Sequence, residues 1–139
     1  MYMTLESGAC GGITSTAVSL IKENDRVVFI SGDGDATHAL NRSWGSLDPR
    51  RKNISVYMGL RTDNEFLNII DYVVNNIDEI DILIVDSLTT LASPAIRNAV
   101  EKQLRDVFTF KRDKKAIVGK NISVLLDPSN LQAIGRATR

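Results

Sequence analysis

Apolar residues in this chain occur in short runs of strand length that alternate with stripes at helical spacing. The run within residues 26–31 has no polar interruption, which is typical of a strand that is covered on both faces of a sheet. The predicted strands cover residues 2–5, 26–31, 54–58, 80–85 and 122–126. Because helical segments separate them, the pattern predicts an α/β fold with a mostly parallel, doubly wound five-stranded sheet and right-handed crossovers.

The helical segments carry recognisable start signals and apolar stripes. Thr62 and Glu65 match a capping box, and Ser93 and Pro94 match an N-cap and a first helical position. The first predicted helix covers residues 14–23, and a short second helix lies around Leu40 and Trp44. The third follows Thr62 and has an apolar face formed by Phe66, Ile70, Val73 and Ile77. The fourth begins at Pro94, and its apolar face consists of Ile96, Val100, Leu104, Val107 and Phe108. Residues 111–120 are predicted as a basic connection and 128–139 as a polar tail of a single domain, 1–139.

Composition excludes several classes of protein. No apolar run approaches the roughly 18 residues that a membrane-spanning helix needs. The N-terminus lacks the basic start and long apolar stretch of a signal peptide. The single cysteine excludes an internal disulfide and fits a reducing compartment, which predicts a cytoplasmic protein.

The formal net charge of zero hides an asymmetry along the chain. Residues 1–96 carry 7 basic and 13 acidic side chains, a balance of −6, whereas residues 97–139 carry 10 and 4, a balance of +6. Such a split fits a nucleic-acid surface, self-association, or charges that balance within one domain. The candidate phosphate or partner contacts are Lys111, Arg112, Lys114, Lys115, Lys120, Arg136 and Arg139. Only Phe108 and Phe110 lie near this set, so base stacking has little support.

The loop at residues 7–15, SGACGGITS, lies between a predicted strand and helix, where Gly-rich turns cradle phosphates. Against the pattern G-x-x-x-x-G-K-[ST] it has the second glycine and the threonine, but serine replaces the first glycine and Ile13 replaces the lysine. The candidate phosphate-binding residues are Gly8, Gly11, Gly12, Ile13, Thr14 and Ser15. Loss of one charge-assisted contact costs about 1.5–3 kcal/mol, so weak or lost nucleotide binding is expected.

Two carboxylates follow predicted strands near this loop. Asp86 ends the run ILIVD, which suits a magnesium-binding residue beside the Thr14 hydroxyl; the alternative is an ordinary strand-ending turn. Asp33 is a candidate for activating water, although turn chemistry explains the GDGD segment better. His38 and Cys10 are more simply explained as surface or packing residues than as catalytic ones.

Three blocks, GGITST, VVFISGDGD and ILIVDSLTTL, resemble the ATPase core of RecA/RadA recombinases and their KaiC-like relatives. The resemblance implies a three-layer α/β/α P-loop NTPase core, with ATP and Mg²⁺ as cofactors and the closing strand between the fourth strand and the first. It implies that Thr14 and Asp86 bind magnesium and that Asp33 occupies the position of the family's catalytic glutamate. It also implies that Ser129 or Asn130 lies near the family's sensor position.

Three functions follow from these patterns. The first is a non-catalytic or weakly ATP-binding accessory protein of homologous recombination and DNA repair, which associates with itself, with a recombinase-type protein or with DNA. The second is an ATPase whose divergent loop is completed by a neighbouring subunit. The third is a KaiC-like or ParA-like regulatory protein, since GITSTAVSL is similar to the ParA loop.

Overall fold

The computed structural model describes residues 1–7, 13–32, 36–45 and 48–121, without the side chains of Ser7, Ile13, Ala36 and Ser43. The strands are β1 (Tyr2–Ser7), β2 (Val27–Ser31), β3 (Ile54–Tyr57), β4 (Ile82–Asp86) and β5 (Lys115–Asn121). The α-helices are α1 (Ile13–Ser19), α2 (Ala36–Ser43), α3 (Asp63–Asn75), α4 (Leu88–Leu91) and α5 (Pro94–Phe110). Short 3₁₀ helices cover Pro49–Asn53 and Ile77–Glu79.

The five strands form one all-parallel sheet in the order β1-β5-β4-β2-β3. The prediction of an α/β fold with a parallel five-stranded sheet is therefore confirmed. The closing strand also lies between β4 and β1, as the resemblance implies. Register brings Ser31 opposite Asp86, so the carboxyl ends of β2 and β4 meet at the same edge of the sheet.

Helices cover both faces of this sheet, and an apolar core lies between the sheet and the helices on each face. Every residue of β2 and β4 is buried, which explains their uninterrupted apolar runs. On one face α3 and α5 contribute Phe66, Ile70, Val100, Leu104 and Phe108. On the other face α1 and α2 contribute Ala17, Val18, Ala39 and Leu40, followed by Trp44. Each large side chain that is fully buried contributes about 1.5–3 kcal/mol, so both layers are needed for stability.

The predicted starts of the two long helices are confirmed, with two differences in the hydrogen bonds. The capping box is only half formed, because Glu65 Oε2 accepts from the Arg61 N–H at 2.8 Å. Thr62 is the N-cap of α3 and its side chain accepts from the Glu65 N–H at 3.2 Å. Ser93 is the N-cap of α5, but its hydroxyl donates to Asp63 Oδ2 at 2.5 Å and its N–H to Asp63 Oδ1 at 3.0 Å. These bonds lower the pKa of Asp63 and join the amino ends of α3 and α5.

The prediction of a basic connection at residues 111–120 is wrong, because the fifth strand that the structure describes begins within it. The strand is Lys115–Asn121, inside the segment predicted as a basic connection, and residues 122–126 lie outside the described part of the chain. Lysines surround the buried run Ala116 to Gly119 and give the segment the composition of a loop. Lys114, only 7% exposed, lies before the strand with its Nζ 3.6 Å from Asp81 Oδ1.

The first helix is also shorter than predicted, since it ends at Ser19 rather than near residue 23. The next two N–H groups, those of Leu20 and Ile21, donate to the carbonyls three residues back, which tightens the end of the helix. In the part of the chain that the structure describes, no helix has the length and apolar character needed to span a bilayer.

One ion pair joins the starts of β2 and β4. Arg26 donates from its backbone N–H and Nε to Asp81 Oδ2 at 2.8 and 3.0 Å, and from Nη2 to Asp81 Oδ1 at 3.2 Å. Hydrogen bonding from Arg26, with smaller help from Lys114, lowers the pKa of Asp81 to about 2.

The Asp81 carboxylate should make stability depend on pH in the acid range. Its native pKa lies below the ordinary value of 3.8, so its contribution is complete above pH 4 and is lost as the pH falls towards 2. We expect Asp81→Asn to lower the free energy of unfolding at pH 7 and to flatten its dependence on pH between about 4 and 2. Urea unfolding across this range measures both. Asp71→Asn, at an exposed carboxylate of α3, is the control and should keep the wild-type slope; an unchanged slope in Asp81→Asn would contradict the assignment.

Candidate functional site

The candidate site lies at the carboxyl ends of the central strands, where doubly wound sheets bind ligands. Thr14 belongs to the first turn of α1, Asp86 ends β4 and Asn121 ends β5. Outside the described residues lie Gly8, Cys10, Gly11, Gly12, Asp33, Ser129 and Asn130. The phosphate loop, the water-activating role of Asp33 and the sensor position therefore stay predictions.

Thr14 and Asp86 are brought together across 72 residues of sequence. The Thr14 hydroxyl donates to Asp86 Oδ2, and Asp86 is only 4% exposed. A carboxylate removed from water is costly unless hydrogen bonds or a cation compensate its charge. The arrangement is compact because α1 starts beside the end of β4, and it is the one that the sequence predicts.

The oxygen atoms of this pair suit Mg²⁺, which prefers hard hydroxyl and carboxylate ligands. Within the described ranges no three His, Cys, Asp or Glu side chains form a group that could hold a metal ion. Two protein oxygens alone are too few for the octahedral shell of Mg²⁺, which commonly uses one or two carboxylates together with substrate phosphates. Thr14 and Asp86 therefore fit a metal that arrives with a phosphate ligand better than a metal bound by protein alone.

A second polar group, which the sequence does not predict, follows Asp86. The Asp86–Ser87 peptide bond is cis, and the short helix α4 begins at the next residue. The Ser87 hydroxyl lies 2.9 Å from Thr89 Oγ1 and 3.0 Å from Thr90 Oγ1. The Thr90 hydroxyl in turn donates to the Ser87 carbonyl at 2.9 Å. The block ILIVDSLTTL includes these residues, but the sequence does not predict the contacts among their hydroxyl groups, because the contacts depend on how the chain turns after β4.

Neighbouring strand ends hold the group in place. The Gly32 N–H donates to the Asp86 carbonyl at 2.7 Å. A Cβ atom at Gly32 would lie 2.4 Å from Thr90 Oγ1, so a side chain at this position would require the Thr90 side chain to shift. On the other side, the Asn121 N–H donates to Thr89 Oγ1 at 2.9 Å and connects α4 to the end of β5.

Arg97 stabilises α4 by hydrogen bonds to backbone carbonyl groups. Its Nε donates to the Ala92 carbonyl at 2.8 Å and its Nη2 to the Thr89 carbonyl at 2.7 Å. These bonds satisfy carbonyl groups at and after the end of a four-residue helix, where backbone partners are scarce. An open cleft of about 310 Å³ lies beside them, and its lining includes Leu88, Thr89, Arg97, Asn98, Glu101 and Lys120.

The basic set from the sequence is only partly available for phosphate contacts. Three of its members already pair with carboxylates: Lys111 with Asp78 at 3.2 Å, Lys114 with Asp81 at 3.6 Å, and Lys120 with Glu101 at 2.9 Å. Arg112 is exposed, Lys115 is half-buried in β5, and Arg136 and Arg139 lie outside the described residues. The surface offers less free positive charge than the composition suggests.

Other candidates from the sequence have simple places in the fold. His38 is exposed on α2, as expected of a surface residue. Phe108 is buried in the core, whereas Phe110 is 83% exposed at the end of α5.

Comparisons with known proteins give information on the fold alone. No family model matches the chain, and no curated protein matches it. Among solved structures it is similar to the crystal structure of a KaiC-like protein from the hyperthermophilic archaeon Pyrococcus horikoshii OT3, with a TM-score of 0.57 and 18% sequence identity. The match covers 96% of this chain but 66% of that protein, so about a third of its length has no counterpart here. The likeness shows that this chain shares its fold with that protein.

Proposed function

We propose that this chain is an accessory domain with a RecA-like fold that binds a magnesium nucleotide weakly, hydrolyses it slowly or not at all, and acts by associating with other protein chains. The contact between Thr14 and Asp86 is the observation that carries the nucleotide part of the proposal. A hydroxyl and a sheltered carboxylate meet at the carboxyl edge of the sheet, beside the Gly-rich loop in sequence. When bound, Mg²⁺ would neutralise phosphate charge at this pair.

Weak binding follows from the residue at position 13. A lysine at this position of a phosphate loop acts on the β- and γ-phosphates, and isoleucine supplies no charge. The loss of about 1.5–3 kcal/mol corresponds to more than a tenfold loss of affinity. The same loss opposes hydrolysis, since developing charge in the transition state needs compensation.

Association is supported by β1, which is an outer strand of the sheet. Among the described residues β1 pairs with β5 and with no strand on its other side. Exposed edge strands offer backbone groups to a further strand, and proteins use such edges for association. We propose a second copy of this chain as the partner, and a recombinase-type protein as the alternative that the sequence blocks suggest. The pairing of three basic side chains with carboxylates favours a protein partner over DNA.

Calorimetric titration with Mg-ATP tests the nucleotide proposal. We expect weak binding by the wild-type chain, at least a tenfold loss in Asp86→Asn because a charged metal contact is removed, and at least a tenfold gain in Ile13→Lys. Asp106→Asn, at an exposed carboxylate of α5, is the matched control and should bind like the wild type. Folded protein without magnesium-dependent binding in either the wild type or Ile13→Lys would contradict the proposal. Turnover that appears only at associating concentrations would favour the ATPase with a loop completed by a neighbour.

Sedimentation velocity tests association through β1. We expect the wild-type chain to self-associate with rising concentration and Thr4→Lys to weaken this, because an exposed lysine on an edge strand disfavours edge-to-edge pairing. Thr109→Lys adds the same charge at an exposed position on α5 and should leave association unchanged. A monomer at all concentrations, or equal effects of the two lysines, would contradict a role for this edge in self-association.

A further inference from the structure

The backbone groups on the outer side of β1 belong to alternate residues. The Ala116 N–H donates to the Met1 carbonyl at 2.9 Å, and Tyr2 is the register partner of Ala116. In a parallel ladder, residues bonded to the neighbouring strand alternate with residues whose N–H and carbonyl groups face the other way. The backbone groups of Tyr2, Thr4 and Glu6 therefore face away from β5, and among the described residues no strand pairs with them.

The side chains of β1 divide between the two faces of the sheet. Tyr2 packs against the core cluster to which α5 contributes, so Thr4 and Glu6 also lie on the α5 face. Leu5 packs against the other core, and Met3 lies on that face by the same alternation. Thr4 and Glu6 are exposed, whereas Met3 and Leu5 are half-buried. The outer side of β1 thus combines a polar row, an apolar row and unpaired backbone groups.

An exposed cation lies on the α5 face beside β1. The Arg105 guanidinium is 5.4 Å from the centre of the Tyr2 ring, and the Arg105 side chain is 55% exposed. Arg105 shares Glu101 with Lys120, since Arg105 Nη2 lies 3.3 Å from Glu101 Oε2 and Lys120 Nζ lies 2.9 Å from Glu101 Oε1. Glu6 is the register partner of Lys120, yet no basic side chain of the described residues forms an ion pair with it. Arg105 and Glu6 can therefore each take a further partner of opposite charge.

We propose that two copies of this chain join by antiparallel pairing of their β1 strands about a two-fold axis at Thr4, with Arg105 of each copy paired with Glu6 of the other. This interface specifies the self-association proposed above and rests on it. A two-fold axis perpendicular to the sheet preserves the two faces, so the α5 layers of both copies lie on one side. Directly opposite residues share a face, so Thr4 meets Thr4 and Tyr2 meets Glu6 of the second copy.

Hydrogen bonding and charge favour an axis at Thr4 over an axis one residue away. Pairing about Thr4 forms three hydrogen-bonded residue pairs from the outward backbone groups, whereas an axis at Met3 or Leu5 forms two. The axis at Thr4 also keeps the two Glu6 residues about 13 Å apart along the strands. An axis at Leu5 would bring them to diagonal positions about 7 Å apart, where like charges repel. On the opposite face, Met3 lies against Leu5 of the second copy and apolar surface is buried.

Sedimentation velocity of two charge-reversal variants, alone and mixed, tests the ion pair. In its own dimer Arg105→Glu places a carboxylate against Glu6, and Glu6→Lys places a cation against Arg105. We expect each variant alone to dissociate at least about tenfold more readily than the wild type. In the heterodimer both contacts join opposite charges, so an equal mixture should associate within about threefold of the wild type. Each monomer is the same alone and mixed, so a merely structural defect would not produce this recovery.

A charge reversal elsewhere on α5 is the matched control. Asp106→Lys, at an exposed position, should associate like the wild type and should not restore the association of Arg105→Glu when the two are mixed. A wild-type chain that associates, together with no recovery in the mixture of Arg105→Glu and Glu6→Lys, would overturn this interface but not the proposed self-association. A wild-type chain that stays monomeric at all concentrations would overturn both.

Disulfide trapping tests the register without a change of charge. In a chain with Cys10→Ser, Thr4→Cys places two cysteines across the axis, where Cα atoms of a hydrogen-bonded antiparallel pair lie about 5.5 Å apart, within disulfide range. We expect a covalent dimer under mild oxidation. Leu5→Cys in the same background should give little, because its Cα atoms would lie about 8 Å apart. Preferential cross-linking at Leu5, or none at Thr4, would overturn the register.

Discussion

The buried carboxylate of Asp86 is the constraint that organises one edge of this molecule. It ends the central strand β4, where burial makes an uncompensated charge costly. Polar groups surround it: the Thr14 hydroxyl donates to the carboxylate, and the Gly32 N–H donates to the Asp86 carbonyl. A turn with hydroxyl side chains begins one residue later, at Ser87. The other residues of β2 and β4 are apolar and buried, so the polar side chains of these two strands lie at their carboxyl ends.

The two apolar layers fix that edge. Because β2 and β4 are buried on both faces, a slip by one residue would move each side chain from one close-packed core to the other, where it would not fit. Ser31 and Asp86 are therefore held side by side, and β5 delivers Asn121 close to Thr89. The packing of the apolar residues that precede them in β2 and β4 therefore sets the positions of the polar groups at the carboxyl ends of these strands.

Much of this architecture can be predicted from the sequence, for physical reasons that also explain the failures. Strands buried on both faces have unbroken apolar runs, and capping residues mark the starts of α3 and α5. β5 escapes this reasoning because lysines lie at both ends of its apolar run, and their ion pairs with Asp81 and Glu101 depend on tertiary structure. The pairing of Thr14 with Asp86 is predictable from spacing and residue type. The hydroxyl chain through Thr89 is not, since SLTT has no periodicity and its partner Asn121 lies 32 residues further along.

The proposed nucleotide site requires that Thr14 and Asp86 hold a divalent metal only together with nucleotide phosphates. Electron paramagnetic resonance of Mn²⁺, used in place of Mg²⁺, tests this directly by measuring bound metal with and without ADP. We expect the protein to retain Mn²⁺ when ADP is present and to retain little without ADP, and we expect Asp86→Asn to abolish the ternary complex. Mn²⁺ retention that is independent of ADP, or unaffected by Asp86→Asn, would contradict it.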